Sequence, residues 1–323
     1  MNNEILRRIE NANQIIVITH IGPDGDAIGS LTAVGQALIQ LGKTPHLVCD
    51  DGVPERFSYL PQTNQVEKEP APEPYDLLIA VDCGDELRMG DAYRNLIHKP
   101  AILNIDHHVT NTMFGDVNIV KPEATSTTEI LFDLFQAFGI QLSEKIALSL
   151  LTGLVTDTLG FRTAGVTANT LNVASQLIEA GADLAFVTMQ ALNVKPLTTV
   201  QLWQIGLANM KIEEGFIWTT ISQDEQGDIG FVGSGTNGLV NILADIDIAH
   251  MGAAILELPD GSVRVGFRCR QPFDVSTIAT ELGGGGHPLA SGCSIDGPLD
   301  IAEAKVREVT LNALRRQKMA VSL

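Results

Sequence analysis

No apolar run in this 323-residue chain approaches the roughly 20 residues that a membrane-crossing helix needs, so a helical membrane protein is not expected. Cysteine is scarce and scattered. Cys49, Cys83, Cys269 and Cys293 form no CxxC pair, which points away from a zinc knuckle or disulfide framework and toward buried or reduced thiols. Aromatic residues make up only 5% of the chain, few for the stacking channels that hold long single strands. Cations are short as well: 21 Lys and Arg stand against 39 Asp and Glu, a net charge of −18. That balance argues against broad capture of long nucleic acid, which needs many cations facing many phosphates. A small phosphate ligand is still compatible, because bound divalent ions can reverse the sign of a carboxylate cluster. The first residues, MNNEILRRIE, are polar and charged, so the cytoplasm is the expected location. There is no internal repeat and no low-complexity segment.

What is present is a globular composition, 45% hydrophobic and 19% charged, in a chain long enough for two domains. Short apolar runs at 15–19, 46–49, 77–81 and 101–105 read as buried strands. Between them, 27–41 carries a helical apolar stripe and 85–97 a weaker one, an alternation that predicts an α/β fold with a mostly parallel sheet. The Pro- and Glu-rich stretch 67–74 reads as an exposed loop. From 125 to 210 the pattern turns mostly helical, with an apolar helix over 143–155 and a connecting helix over 197–210. Beyond it, alternating strands at 216–222, 253–259 and 262–268, with a turn at Pro259-Asp260-Gly261, predict a smaller mixed α/β domain.

Chemistry gathers at the strand ends. His20-Ile21-Gly22-Pro23-Asp24-Gly25-Asp26 follows the first strand and precedes a helix, where Pro23 and Gly25 bend the backbone around the two carboxylates. An Asx turn with a helix cap would use the same residues. Asp82 follows the third strand, and Asp106, His107 and His108 follow the fourth. These ends would converge on one edge of a parallel sheet, where open α/β proteins bind ligands. Asp157 ends the apolar helix and by itself would read as a helix terminator. In the second domain Arg264, Arg268 and Arg270 fall at even intervals and share a predicted strand face, while Val263, Val265 and Phe267 point the other way. Gly266 between them would admit a ligand close to the backbone. Gly283 to Gly286, followed by His287 and Pro288, could present a phosphate-binding nest with proline starting a short helix; a flexible loop would have the same composition.

His46, His98 and His250 lack ligand-like company and read as surface or packing residues. Nothing supports nucleophilic use of Cys83, and Trp203 and Trp218 read as packing.

With Asp106, His107 and His108 as its signature triplet, and 283–292 (GGGGHPLASG) as a second motif, the chain resembles the DHH phosphoesterases that carry a DHH-associated C-terminal domain, in particular the nanoRNase and pAp phosphatase group. The resemblance implies a catalytic domain over 1–192, a connecting helix over 193–212 and a substrate-binding domain over 213–323. It implies that His20, Asp24 and Asp82 hold one ion, and Asp26, Asp82, His107 and Asp157 a second, with Asp82 bridging. Mixed carboxylate and imidazole ligands suit two Mn²⁺ ions per chain, with Co²⁺ or Mg²⁺ as alternatives, arranged for in-line attack on phosphorus. By the same resemblance Asp106 orients a ligand histidine, and His108 contacts the substrate phosphate. Arg268 and His287, with Gly284, Gly285, Gly286 and Arg264, would bind the substrate. Departures from the family pattern occur at Leu159, where glycine is common, and at Cys269, where serine is frequent.

The expected reaction is hydrolysis of short oligoribonucleotides to nucleoside monophosphates and of pAp to AMP. A cyclic or linear di-adenylate phosphodiesterase would use the same centre, and a silent nucleotide-binding module would not need it. An inorganic pyrophosphatase is disfavoured by the second motif. The expected partners are short oligoribonucleotides or small nucleotides, with no long duplex and no membrane; a homodimer stays open.

Overall fold

The computed structural model describes residues 2–233 and 235–321. Two compact units emerge, Met1–Val194 and Lys195–Leu323. In the first, five strands, β1 (Ile15–Ile18), β2 (His46–Val48), β3 (Leu77–Val81), β4 (Ala101–Asp106) and β5 (Val117–Val120), form one sheet in the order β2-β1-β3-β4-β5. Every pairing is parallel, as the strand–helix alternation predicts. All residues of β1 and β3 are buried, which explains why these strands read as continuous apolar runs.

Among the described residues seven α-helices belong to this unit: α1 (Asn2–Asn11), α2 (Gly25–Gln40), α3 (Gly90–Arg94), α4 (Thr127–Ala137), α5 (Glu144–Asp157), α6 (Ala168–Glu179) and α7 (Leu184–Thr188). The helix expected over 85–97 is broken into a 3₁₀ turn, Glu86–Met89, and the short α3, because Gly90 at their junction takes φ +65°. Helices α2 and α5 approach closely through small residues. A Cβ on Gly29 would lie 2.6 Å from the Ser149 carbonyl, and one on Gly25 would lie 2.4 Å from Thr156 Cγ2.

The second unit begins with α8 (Leu197–Ala208) and contains β6 (Lys211–Glu213), β7 (Phe216–Ile221), α9 (Gln223–Asp228), α10 (Leu239–Ala244), β8 (Met251–Glu257), β9 (Ser262–Cys269), α11 (Ser276–Glu281), β10 (Gly285–His287), β11 (Ala290–Asp296) and α12 (Leu299–Val321). Its sheet runs β10-β11-β9-β8-β7-β6 and is antiparallel except where β7 pairs with β8; with its helices it makes the mixed α/β unit that the sequence predicts. Val263, Val265 and Phe267 of β9 point into the core with Phe216 and Trp218, whose rings stack at 4.9 Å. Among the described residues, no helix is long and apolar enough to cross a membrane.

Candidate metal centre

The order β2-β1-β3-β4-β5 reverses direction between β1 and β3, and ligands of open α/β sheets bind outside the carboxyl ends of the strands at such a switch point. His20 lies just past β1, Asp82 directly follows β3, and Asp106 ends β4 with His107 and His108 next in line. Asp24 caps α2, its Oδ1 accepting the N–H groups of Asp26 (3.0 Å) and Ala27 (3.1 Å), and the same side chain stands beside His20 and Asp82. Asp26 sits in the first turn of α2, and Asp157 is the last residue of α5. Tight packing of α2 on α5 therefore brings Asp157 to residues 131 positions away in the chain, counted from Asp26.

Three sets of potential donors converge: His20, Asp24 and Asp82; Asp26, His107 and Asp157; and Asp82, His107 and His108, each with donor atoms within 4.8 Å of one another. Asp82 divides its oxygens between them. Oδ2 lies 3.4 Å from His20 Nε2, and Oδ1 lies 3.7 Å from His107 Nε2. His107 Nε2 also reaches Asp157 Oδ2 at 3.1 Å and Asp26 Oδ2 at 3.9 Å. Each imidazole is aimed from behind: His20 Nδ1 lies 2.9 Å from the Ile21 carbonyl, and His107 Nδ1 lies 3.4 Å from that of Ala124. Donation of Nδ1–H from His107 to the Ala124 carbonyl leaves its Nε2 facing the carboxylates, while His20 Nδ1 also lies 3.2 Å from Arg88 Nη2 and its Nε2 faces Asp82.

Asp106 departs from its expected role. Its Oδ1 accepts the Nδ1–H of His108 at 2.7 Å and its Oδ2 accepts from Asn111 Nδ2 at 2.6 Å, so it orients His108 and not His107. Asp106 is wholly buried, whereas the His108 side chain is 44% exposed, which fits a residue held from within and presented outward.

The electrostatics are those of carboxylates crowded into a low-dielectric site. Burial, with the charges of Asp82 and Asp157, pushes the Asp26 carboxyl well above the ordinary range. Asp157 rises to about 6, through burial and the charges of Asp82 and Asp24 against the bond to His107. Burial would raise Asp82 too, but the hydrogen bond and charge of His20, together with His107 and His108, outweigh it and bring it to about 2. Burial likewise disfavours the charged form of His107, yet the bond to Asp157 and the charges of Asp26 and Asp82 lift it to about 10. Protons on the imidazoles thus offset carboxylate charge that a divalent cation could offset instead. Oxygen and imidazole donors without a thiolate fit Mn²⁺, Mg²⁺ or Co²⁺. Cys83, the nearest thiol in sequence, is fully buried and its pKa is raised by that burial, which removes it as nucleophile or ligand.

Two contributors escaped sequence reasoning. The hydroxyl of Thr127 and the N–H groups of Thr127 and Thr128 donate to Asp82 and Asp26. Gly153 on α5 leaves room for Asp26: a Cβ there would stand 2.5 Å from Asp26 Oδ1 and 2.4 Å from Thr128 Cγ2. Neither residue type is a ligand, and only a contact across more than 100 residues for Thr127, or between helices for Gly153, gives it meaning. Leu159, the departure noted above, adopts φ +50°, a conformation in which glycine carries no Cβ penalty. His46 turns out to be engaged, paired with the Tyr75 hydroxyl and with Glu67 Oε2, the latter at 2.9 Å.

In the second unit a cavity of about 480 Å³ is lined by Arg264, Gly266, Arg268, Gly292, Ser294 and the segment around Asn237. Sheet register explains its floor. Gly285, Gly292, Gly266 and Ala254 form one cross-strand row, flanked by a row holding His287, Ala290 and Arg268 and by another holding Ser294, Arg264 and Leu256. Two expectations fail here. Arg270 lies beyond the end of β9 and donates to the carbonyls of Ile246 (2.5 Å) and Ala249 (3.1 Å). Pro288 starts no helix: Gly285 to His287 form β10, Pro288 and Leu289 turn, and β11 follows. Close pairing requires glycine at two of these positions: a Cβ on Gly284 would meet the Gly292 carbonyl at 2.2 Å, and one on Gly286 the Ala290 carbonyl at 2.7 Å. His287 and Gly284 to Gly286 lie on this hairpin and are not part of the cavity lining.

Comparison with known proteins agrees with this arrangement. Residues 14–154 match the DHH family, N-terminal domain, and residues 229–311 match the DHHA1 domain. The chain is 32% identical over 322 residues to the bifunctional oligoribonuclease and PAP phosphatase NrnA of Thermus thermophilus, covering 97% of this chain and 93% of that one. It is 26% identical to the cyclic-di-AMP phosphodiesterase GdpP of Geobacillus thermodenitrificans, over 93% of this chain but 47% of that protein. The crystal structure of an exopolyphosphatase-related protein from Bacteroides fragilis superposes with a TM-score of 0.88 at 23% identity, covering 100% and 97% of the two chains, and so shares the fold. A relative of this identity and coverage, with both domain models in the order seen here, shows that the chain belongs to the DHH family of phosphoesterases.

Proposed function

We propose that this protein is a two-metal phosphoesterase that releases nucleoside monophosphates from short oligoribonucleotides and converts pAp to AMP. The observation that carries the reading is the division of the Asp82 oxygens between two donor sets, one with His20 and Asp24 and the other with Asp26, His107 and Asp157. Those residues would hold two divalent ions, with Mn²⁺ favoured by the mixed donors, and the ions would supply the positive charge that polarises a phosphoryl oxygen. His108, kept protonated at Nδ1 by Asp106 and raised in pKa chiefly by that bond, presents Nε2 to solvent as a hydrogen-bond donor or proton source for the phosphoryl group. Arg264 and Arg268 flank a glycine floor that admits a nucleotide close to the backbone, and His287 extends the Arg268 row. The substrate class follows from the NrnA relative, matched nearly end to end.

The test is product analysis with Mn²⁺, Co²⁺ and Mg²⁺ on a short oligoribonucleotide, pAp, and cyclic and linear di-adenylate. Mononucleotide release from the oligomer and AMP from pAp are expected. Turnover of di-adenylates alone would shift the assignment to the second reading, which similarity to GdpP favours. No turnover of any of them with any of the three ions would overturn the enzyme reading.

A further inference from the structure

Asp82 can serve two donor sets only while its oxygens stay divided between them. The terminal torsion of an aspartate is broad and does not hold a carboxylate at one angle by itself. Rotation of that carboxylate would withdraw Oδ2 from His20 and Oδ1 from His107 together. Apart from the imidazoles, one side chain among the described residues hydrogen-bonds the Asp82 carboxylate: Thr127, whose Oγ1 donates to Oδ1 at 2.9 Å. The backbone N–H of Thr127 also donates to Asp26 Oδ2 at 2.6 Å, and that of Thr128 to Asp26 Oδ1 at 3.0 Å. One residue thus touches the carboxylate common to both donor sets and a carboxylate of the second.

The Thr127 hydroxyl is not needed to cap its helix. Ser126 is the N-cap of α4, its side chain accepting from the Glu129 N–H, so the orphan N–H groups of Thr127 and Thr128 in the first turn are free to bind Asp26. Thr127 is fully buried, a place where valine would fill the same space without a polar group to satisfy. Its segment is braced from outside the cluster. Glu129 accepts the Thr125 N–H at 2.9 Å and the Thr125 hydroxyl at 2.6 Å, and its other oxygen accepts from Asn169 at 2.8 Å. The Ala124 carbonyl of the same segment backs His107. Residues 124–129 therefore act as one rigid piece against Asp82, Asp26 and His107.

We propose that Thr127 is a positioning residue that holds Asp82 in its bridging orientation and couples it to Asp26, so that the two donor sets make one binuclear site. This rests on the two-metal reading above. The test compares Thr127→Val, which keeps shape and both backbone bonds, with Thr127→Ser, which keeps the hydroxyl, by Mn²⁺ titration calorimetry and by the spin-coupled EPR signal of a manganese pair. The wild type and the serine variant should take up two coupled ions. The valine variant should bind its second ion about tenfold more weakly or worse, and lose the coupled signal, as expected when a buried charge-assisted hydrogen bond is removed. Wild-type affinity and coupling in the valine variant would overturn the proposal, as would a serine variant that loses the second ion. Should the valine variant not fold, Thr127→Ala carries the same comparison. A wild-type chain that binds fewer than two ions would instead overturn the two-metal reading.

Discussion

His107 stands where the cluster's charge imbalance is most easily measured. With its pKa lifted to about 10 against an ordinary value of roughly 6.5, the imidazolium stabilises the metal-free fold fully below pH 6.5. That contribution fades as pH rises through 10. The unfolding midpoint of the metal-stripped protein should therefore decline between roughly pH 6.5 and 10. Excess Mn²⁺ should lessen the decline, because a cation then occupies the position of the proton. His107→Gln should flatten the slope of the stripped protein; thermal melts across that range decide, and an unchanged slope would remove His107 from the charge balance. His107, like His20 and Asp82, was legible as a candidate-site residue because it lies at the end of an apolar strand. What the sequence did not show is that Asp82 takes φ +61°, a left-handed conformation for a residue with a Cβ.

At the scale of elements, the α2–α5 contact carries the alignment of Asp26. Gly153→Ala would force a Cβ to within 2.5 Å of Asp26 Oδ1, so either the helix or the carboxylate must shift. A loss of about 1 to 3 kcal/mol in stability is expected for such overpacking, with lower Mn²⁺ uptake, read by denaturant titration and metal analysis. Normal values of both would mean that the helices part without disturbing the site. In the second unit, β9 presents Arg264 and Arg268 on the face of a glycine row. Arg268→Ala should lower kcat/KM for a dinucleotide about tenfold to hundredfold while metal content stays unchanged, as befits a lost charge-assisted contact. Loss of metal in that variant would contradict this division of labour. Period-two spacing revealed the arginine face, but it extended that face to Arg270, because nothing in the spacing marks where β9 ends. The glycine run misled for a related reason: the need for small residues at Gly284 and Gly286 comes from the close approach of β11, a neighbour along the chain whose approach no composition displays.

For the whole molecule the decisive quantity is its charge of −18, which opposes an extended polyanion except where bound cations and a few arginines create a local well. Few phosphates can be held in such a well. A dinucleotide should therefore be cleaved with higher kcat/KM than a long single-stranded RNA, and with only a shallow dependence on salt, since counterion release scales with the phosphates contacted. Initial rates for both substrates under Mn²⁺ at several salt concentrations make the comparison. Efficient processive degradation of the long strand with a steep salt slope would reverse this expectation.

The sequence alone determined the alternation of strands and helices, the parallel sheet, the mixed α/β character of the second unit, and the placement of His20, Asp82, Asp106, His107 and His108 at strand ends. These follow from local periodicity and from the burial of both sheet faces, which leave marks within a few residues of chain. Tertiary structure decided which oxygen of Asp82 faces which histidine, that Asp106 holds His108, that Thr127 and Gly153 shape the cluster, and that the arginine face ends at Arg268. Those outcomes depend on hydrogen-bond directions and on close approach between segments distant along the chain or on separate elements, and neither has a period that one stretch of residues can show.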